Sequence, residues 1–114
     1  MRSNIKIYDS RVYPGVYSQR CAKIIIEGTV VSYCIYYIGF NDKEIIILDL
    51  YTINNMRNRG YASYILNYIV KKASRLLFKS VQLDNMSEDK TSIYEKAGFI
   101  YREIGYPEMI YKIE

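Results

Sequence analysis

The spacing of apolar and polar residues predicts strands through the first half of the chain. Some segments alternate apolar with polar side chains, and others are short apolar runs rich in β-branched residues, as buried strands are. The predicted strands are residues 4–9, 22–27, 30–40 and 44–52. Short turns at Gly28-Thr29 and Asn41-Asp42 join the last three strands, which are therefore expected to form an antiparallel meander.

The spacing becomes helical after this meander. Apolar residues recur every three or four positions at Ala62, Ile65, Leu66, Ile69, Val70, Ala73 and Leu77. This pattern predicts a long amphipathic helix over about residues 60–78. A strand is predicted at 80–86, and a helix separates it from the strand at 44–52, so we expect these two strands to pair in parallel.

The last part of the chain predicts a short helix and a hairpin. The helix covers residues 88–97; Ser87 is expected to cap it and Gly98 to end it in a left-handed conformation. The hairpin joins 99–104 to 109–113. Residues 10–20 contain Pro14-Gly15 without helical periodicity, which predicts a loop. We therefore predict one domain over residues 1–114, of the α/β class, with a mixed, mostly antiparallel sheet, one long helix and one short helix.

Composition excludes several kinds of chemistry. The chain has no histidine, so Ser-His-Asp or Cys-His catalysis within one chain and histidine metal ligation are excluded. Cys21 and Cys34 are too few for a disulfide framework or a thiolate metal site, and are expected to be reduced thiols. The 14 tyrosines make a phenol the uncharged acid or base to consider first. No membrane span or signal peptide is recognisable, so we expect a cytoplasmic protein.

A basic turn with a glycine lies between the strand at 44–52 and the long helix. It consists of Arg57, Asn58, Arg59, Gly60, Tyr61 and Ala62. The first N–H groups of a helix have no intrahelical partner and carry partial positive charge. Gly60 and Ala62 leave an anion room to reach those groups, and Arg57 and Arg59 add formal charge. The turn therefore predicts a diphosphate site.

The turn has the form Arg-x-x-Gly-x-Ala, and Tyr94-Glu-Lys-Ala-Gly98-Phe99 follows one strand and one helix later. Together the two motifs resemble those of the GNAT superfamily of acetyl-CoA-dependent N-acyltransferases, from about Lys23 onward. In that family the first motif wraps the CoA pyrophosphate, and the second carries a tyrosine near the thioester. The resemblance implies acetyl-CoA as cosubstrate and transfer of its acetyl group to a primary amine, such as a protein N-terminus, a lysine or a small amine.

The resemblance also implies individual site residues. The cofactor-binding residues that it implies are Leu50, Tyr51 and Thr52, whose backbone would bind pantetheine, Arg57, Asn58, Arg59, Gly60, Tyr61 and Ala62 around the pyrophosphate, and Ser87. Ser87 stands where an asparagine is common in the family. Tyr94 is implied as the general acid that protonates the departing CoA thiolate.

The general base stays unassigned at this stage. Family members often carry a glutamate where this chain has Ile46 and Gln82, and neither side chain accepts a proton from an ammonium. Among the nearby carboxylates, Asp49 lies inside an apolar strand, where burial would raise its pKa. Strict alternation, however, turns Asp49 away from Ile46, toward a possible arginine or lysine partner.

Several alternatives remain open from the sequence. Family members usually have about two helices where this chain has only residues 10–20, so either a loop replaces them or another subunit covers that face. A degenerate GNAT-fold module that binds CoA or a protein partner is the alternative function. Net charge of +4 would also suit nucleic acid, but the basic residues are dispersed and no RNA-recognition motif is present. A homodimer is compatible with the exposed edges of a small sheet.

Overall fold

The computed structural model describes residues 5–113, which form one seven-stranded sheet and two α-helices. The strands are β1 Ile7–Arg11, β2 Gln19–Ile26, β3 Thr29–Gly39, β4 Glu44–Thr52, β5 Ser80–Asp84, β6 Ile100–Tyr101 and β7 Glu108–Lys112. The helices are α1 Tyr61–Arg75 and α2 Thr91–Lys96, each preceded by a 3-10 turn, at Asn54–Met56 and Glu88–Lys90 respectively. No described helix combines the length and apolarity needed to cross a bilayer.

The sheet has the strand order β1-β2-β3-β4-β5-β7-β6. The first four strands form an antiparallel meander, and β4 pairs with β5 in parallel because α1 carries the chain back across the sheet. The remaining pairs, β5 with β7 and β7 with β6, are antiparallel. The predicted α/β class and the mixed, mostly antiparallel sheet are therefore confirmed.

Both helices pack on the same face of the sheet. The buried side of α1 consists of Tyr61, Ile65, Leu66, Ile69 and Ala73, and all of these except Tyr61 were predicted. Ala62 and Val70 are partly buried, whereas Leu77, which was predicted on this side, follows the end of the helix and is 84% exposed. Tyr94 of α2 belongs to the same core cluster, with buried side chains of β2 to β5 and β7. No described helix covers the opposite face, because residues 12–18 connect β1 to β2 without forming a helix.

The loop between the first two strands is shorter than predicted. We expected residues 10–20 to be a loop, but Ser10 and Arg11 pair with Cys21 and Arg20, so β1 and β2 extend into this segment. Only residues 12–18 remain between the strands, because ladder hydrogen bonding, not local sequence pattern, decides where two paired strands end. The predicted start of the first strand at residue 4 lies outside the described residues.

The second helix differs from the prediction at its start. It begins at Thr91 instead of residue 88, after a 3-10 turn closed by a bond from the Lys90 N–H to the Ser87 carbonyl. The Ser87 hydroxyl donates to the Asp89 carboxylate, so it does not cap the helix as expected. The predicted left-handed glycine is confirmed, because Gly98 has φ of +102° immediately after the helix.

Gly98 also allows close packing against the last strand. A Cβ at this position would lie 2.7 Å from Cε2 of Tyr111, and a residue with a side chain would be strained at the positive φ of Gly98. We expect Gly98→Ala to lower the free energy of unfolding by about 1–3 kcal/mol, measured by urea denaturation. Gly105→Ala is the matched control, because Gly105 has φ of +89° but open space around it. Equal losses in the two variants would show that the Tyr111 contact carries no cost.

A polar cluster ties the first strand to the long helix. The carboxylate of Asp9 accepts hydrogen bonds from Tyr36 Oη at 2.5 Å, Tyr68 Oη at 2.6 Å, Lys72 Nζ at 2.8 Å and Arg20 Nε at 3.1 Å. Its side chain is only 10% exposed. Burial alone would raise the pKa of Asp9, but the bonds from Lys72, Tyr36 and Tyr68 outweigh burial and hold the pKa below its usual value.

Candidate functional site

The site lies where two parallel strands separate. The pairing of β4 with β5 ends at Ile47 and Leu83, whereas β4 continues to Thr52 while still paired with β3. The β5 side of residues 48–52 therefore lacks a sheet partner. Two adjoining cavities open along this edge, a first of about 420 Å³ and a second of about 190 Å³. Leu50 and Lys90 line both of them.

The first cavity brings together most of the residues predicted to bind the pyrophosphate and pantetheine. Its lining includes Leu50, Thr52, Arg57, Asn58, Gly60, Tyr61 and Ala62 from that prediction. Arg59 is exposed and does not line this cavity, and the side chain of Tyr51 lies on the helix-free face of the sheet, where its ring packs 5.6 Å from that of Tyr33. Ser87 lines the second cavity instead.

The start of α1 has the features of an anion site. Gly60 precedes the helix in the left-handed conformation, with φ of 86° and ψ of 6°, and nothing lies within 4 Å of where its Cβ would be. The first turn carries no acidic residue. The N–H groups at the helix start therefore face an open cavity with favourable dipole potential.

Charged side chains around the first cavity are mostly cationic. Arg57, Lys90 and Lys96 line it together with one carboxylate, Asp89. Arg57 is held in place, since its Nε donates to the Thr52 carbonyl at 2.9 Å and its guanidinium lies 5.8 Å from the centre of the Tyr51 ring. The excess of positive charge favours a polyanionic ligand.

Tyr94 lines the second cavity from α2. The residue is only 5% exposed, and its ring packs edge-on against Phe99, which fixes the direction of the phenol. Burial raises the pKa of Tyr94 to about 12, and the nearby charges of Asp49 and Asp89 act in the same direction. At neutral pH the phenol is therefore protonated and can donate a proton or a hydrogen bond.

A β-bulge in β4 corrects the prediction for Asp49. Ile35 pairs with Asp49 and Tyr36 pairs with Ile47, so Leu48 is an extra residue in the ladder. Because of that extra residue, Asp49 shares the helix-free face with Ile46 instead of pointing away from it. Asp49 is exposed, not buried as expected, and its carboxylate accepts a hydrogen bond from Tyr33 Oη at 3.2 Å rather than pairing with an arginine or lysine.

The carboxylates near the cleft differ in whether they line the second cavity. Asp49 and Asp84 line the second cavity together with Tyr94. Glu44 lies outside that lining, and it accepts a hydrogen bond from Nε2 of Gln82. Ile46 and Gln82 are direct neighbours in the β4–β5 pairing. The second cavity therefore offers one phenol and two carboxylates.

Sequence reasoning missed the contribution of the second helix to the first cavity. The side chains that it overlooked are Asp89, Lys90, Ser92, Ile93 and Lys96, together with Met56 and Ser63 near the start of α1. Ser92 and Ile93 follow Asp89 by three and four residues and precede Lys96 by four and three, a spacing that places side chains on one side of a helical segment. That spacing was a usable signal, but it required knowing that this side faces α1.

Among the described residues, no group of three histidine, cysteine, aspartate or glutamate side chains could hold a metal ion.

Comparison with known structures agrees with this architecture. A GNAT family acetyltransferase from Elizabethkingia anophelis with acetyl-CoA bound has a TM-score of 0.74 at 14% identity, covering 99% of each chain. A Bacillus subtilis acetyltransferase in complex with CoA gives 0.71 at 12% identity, covering 87% of this chain and 80% of that one. The PaiA N-acetyltransferase of Thermoplasma acidophilum in complex with coenzyme A gives 0.73 at 15%, covering 84% and 62%. At identities this low, the similarity to these structures is evidence for a shared fold alone.

The sequence comparison identifies the family directly. No curated protein matches the chain significantly. The family model described as the acetyltransferase (GNAT) family matches residues 7–99, which include β1 to β5, both helices and the two motifs. The chain therefore belongs to the GNAT acetyltransferase family.

Proposed function

We propose that this protein is an N-acetyltransferase that moves the acetyl group of acetyl-CoA to a primary amine. The observation that carries the proposal is the cleft formed by two adjoining cavities along the edge of β4 that lacks a strand partner. One end of it has the cationic start of α1, and the other end has a buried, protonated phenol. A long ligand with a diphosphate and a reactive terminus matches both ends.

The residues present fit acetyl-CoA at each point along this cleft. The open space at Gly60 leaves the first N–H groups of α1 accessible to the diphosphate, and Arg57 and Lys96 supply positive charge. Residues 50–52 have no strand partner on the β5 side, so the amide arm can add to this edge as a strand would. In doing so it would replace Lys90 at the Leu50 carbonyl. We assign Leu50 and Thr52 to this role by their position in the first cavity.

The chemistry follows from the groups of the second cavity. The acceptor nitrogen attacks the thioester carbonyl, and the bond to sulfur breaks. Tyr94 is proposed to give its proton to the departing thiolate, since its raised pKa keeps it protonated until that charge develops. Asp49 and Asp84 line the same cavity and are the candidates to take a proton from the amine. The reaction requires no metal.

One observation favours a second candidate function. Ile46 and Gln82 occupy the positions where the family often has a glutamate, and Gln82 is bonded to Glu44 outside the cavity. A CoA-binding module without catalysis would retain the first cavity and lack a base at those positions. The two functions differ in turnover and not in cofactor binding.

Calorimetric titration with CoA and acetyl-CoA tests the binding part of the proposal. We expect saturable binding by the native chain and binding about a hundredfold weaker or worse in Gly60→Glu, because a carboxylate would then face the diphosphate. Gly60→Gln is the matched control, since it carries the same backbone strain at φ of 86° without the charge, and should lose less affinity. A folded native protein that binds neither ligand would overturn the proposal.

A further inference from the structure

The ammonium of Lys90 lies inside the cleft. Its Nζ donates a hydrogen bond to the carbonyl of Leu50, a residue 40 positions away in sequence. Leu50 is in the part of β4 that has lost β5 as its partner, and Lys90 supplies the donor for its carbonyl. A polar group from the turn before α2 therefore occupies the strand edge that lacks β5 as a partner.

The position of Lys90 along the cleft is distinctive. Of the residues that line the two cavities, Leu50 and Lys90 are the ones common to both. A ligand that extends from the cationic start of α1 to Tyr94 has to pass this pair. The side chain of Lys90 is a primary amine once it is deprotonated, and primary amines are the proposed class of acceptor. It lies at the junction of the two cavities, which a bound acetyl-CoA would cross.

We propose that Lys90 is a self-acetylation site of this protein, an inference that rests on the proposed acetyl-CoA site. An arm that adds to the edge of β4 takes over the Leu50 carbonyl and releases the Lys90 ammonium. The released side chain is still anchored in the turn at Glu88–Lys90 beside the cleft. The amine therefore remains next to the arm that displaced it, at high effective concentration.

The step balances without any further reactant. The Lys90 ammonium first loses a proton to water in the open cleft, and the free amine attacks the carbonyl carbon of the acetyl thioester. A C–N bond forms, the C–S bond breaks, and the second nitrogen proton leaves to solvent while the thiolate takes a proton from Tyr94. Tyr94 regains its proton from solvent. The products are Nε-acetyl-Lys90 and CoA.

Mass spectrometry of the whole chain after incubation with acetyl-CoA tests this inference. We expect one acetyl group, located on Lys90 by peptide fragmentation, with a first-order rate constant at saturating acetyl-CoA that is independent of protein concentration because the step is intramolecular. Lys90→Arg should abolish this modification. Lys71→Arg is the matched control and should not change it, because Lys71 is exposed on α1 and lines neither cavity.

A binding readout that needs no acetyl transfer accompanies this test. CoA without an acyl group should shift the NMR signals of the Lys90 side chain and leave those of Lys71 unchanged, because the arm displaces Lys90 from Leu50. Saturable CoA binding with no shift at Lys90 would overturn the inference and leave the proposed function intact.

Two further outcomes also decide the matter. Acetyl groups spread over surface lysines at equal rates in the native chain and in Gly60→Glu would show uncatalysed acylation, and would overturn the Lys90 assignment alone. Absence of CoA binding by the folded native chain would overturn the proposed function, and this inference with it.

Discussion

Replacing Tyr94 with phenylalanine is expected to lower kcat for acetyl transfer by about 10²–10⁴-fold, the range typical for loss of a general acid. Affinity for acetyl-CoA should stay close to that of the native protein, because the phenol acts in the second cavity and the diphosphate contacts lie in the first. The combination of lost turnover with retained binding distinguishes an enzyme from a CoA-binding module.

The environment of Tyr94 also predicts how the native rate depends on pH. Burial and the charges of Asp49 and Asp89 raise the pKa of the phenol to about 12, so the acid form is present throughout neutral and mildly alkaline pH. The proton is lost only as pH rises through that value. The native rate should consequently show no decline attributable to Tyr94 below about pH 10.

The measurement is steady-state kinetics with thiol detection, paired with calorimetry on the same protein samples. Tyr8→Phe is the matched control, because Tyr8 lies exposed on the edge strand β1, outside both cavities. A Tyr94→Phe variant with native kcat would show that the thiolate obtains its proton elsewhere. A variant that no longer binds acetyl-CoA would show that Tyr94 holds the cofactor in place.

Replacing Asp9 with alanine is expected to lower the free energy of unfolding by about 3–5 kcal/mol. The change removes the acceptor for two cations and two phenols at once, and Lys72 and Arg20 would keep partly buried charges with no counter-charge. Since Asp9 joins β1 to α1, the edge strand should be the first part to lose protection against hydrogen exchange.

The pH dependence of stability supplies an independent check on Asp9. Its pKa in the folded state lies below the ordinary value of 3.8, so the carboxylate contributes stability that is fully present above that value. This contribution is lost as pH falls through the folded pKa. The stability difference between native chain and Asp9→Ala should therefore narrow below about pH 4.

Urea denaturation followed by circular dichroism measures both effects. Glu95→Ala is the control, because Glu95 is an exposed carboxylate on α2 and its removal should change stability by less than about 0.5 kcal/mol. If Asp9→Ala lowers the free energy of unfolding by less than about 1 kcal/mol, water has replaced the carboxylate as the hydrogen-bond acceptor of the cluster. Asp9 would then not be what holds β1 against α1.

The order of elements could be predicted from the sequence because local periodicity carries it. Helical spacing from Ala62 onward and short apolar runs elsewhere reflect which face of each element is buried. Gly60 and Tyr94, which the two sequence motifs single out, line the two adjoining cavities of the cleft. Strand ends were less predictable. Ser10 and Arg11 belong to β1 through pairing with β2, and Gln19 and Arg20 belong to β2 through pairing with β3.

The polar contacts of the site could not be predicted from the sequence. Lys90 finds its partner 40 residues away, and the bonds to Asp9 join residues 11 to 63 positions apart. Such pairs depend on how α1 and α2 lie on the sheet, which periodicity does not encode. Asp49 was misplaced because a bulge is a property of two paired strands and leaves no signal in either alone.

The extra residue at Leu48 makes the end of β4 tolerant of substitution and also of the loss of this one residue. Single replacements at Asp49 or Tyr51 change one side chain on the exposed face, and such changes can accumulate during the divergence of acceptor preference. Loss of the codon for Leu48 would remove the bulge and leave the later residues on their present faces, with Leu50 buried and Tyr51 exposed, because Ile47 and Asp49 already pair with neighbouring residues of β3. Evolution of this cleft can therefore shorten β4 by this one residue, as well as substitute its exposed side chains, without exchanging the two faces of the strand.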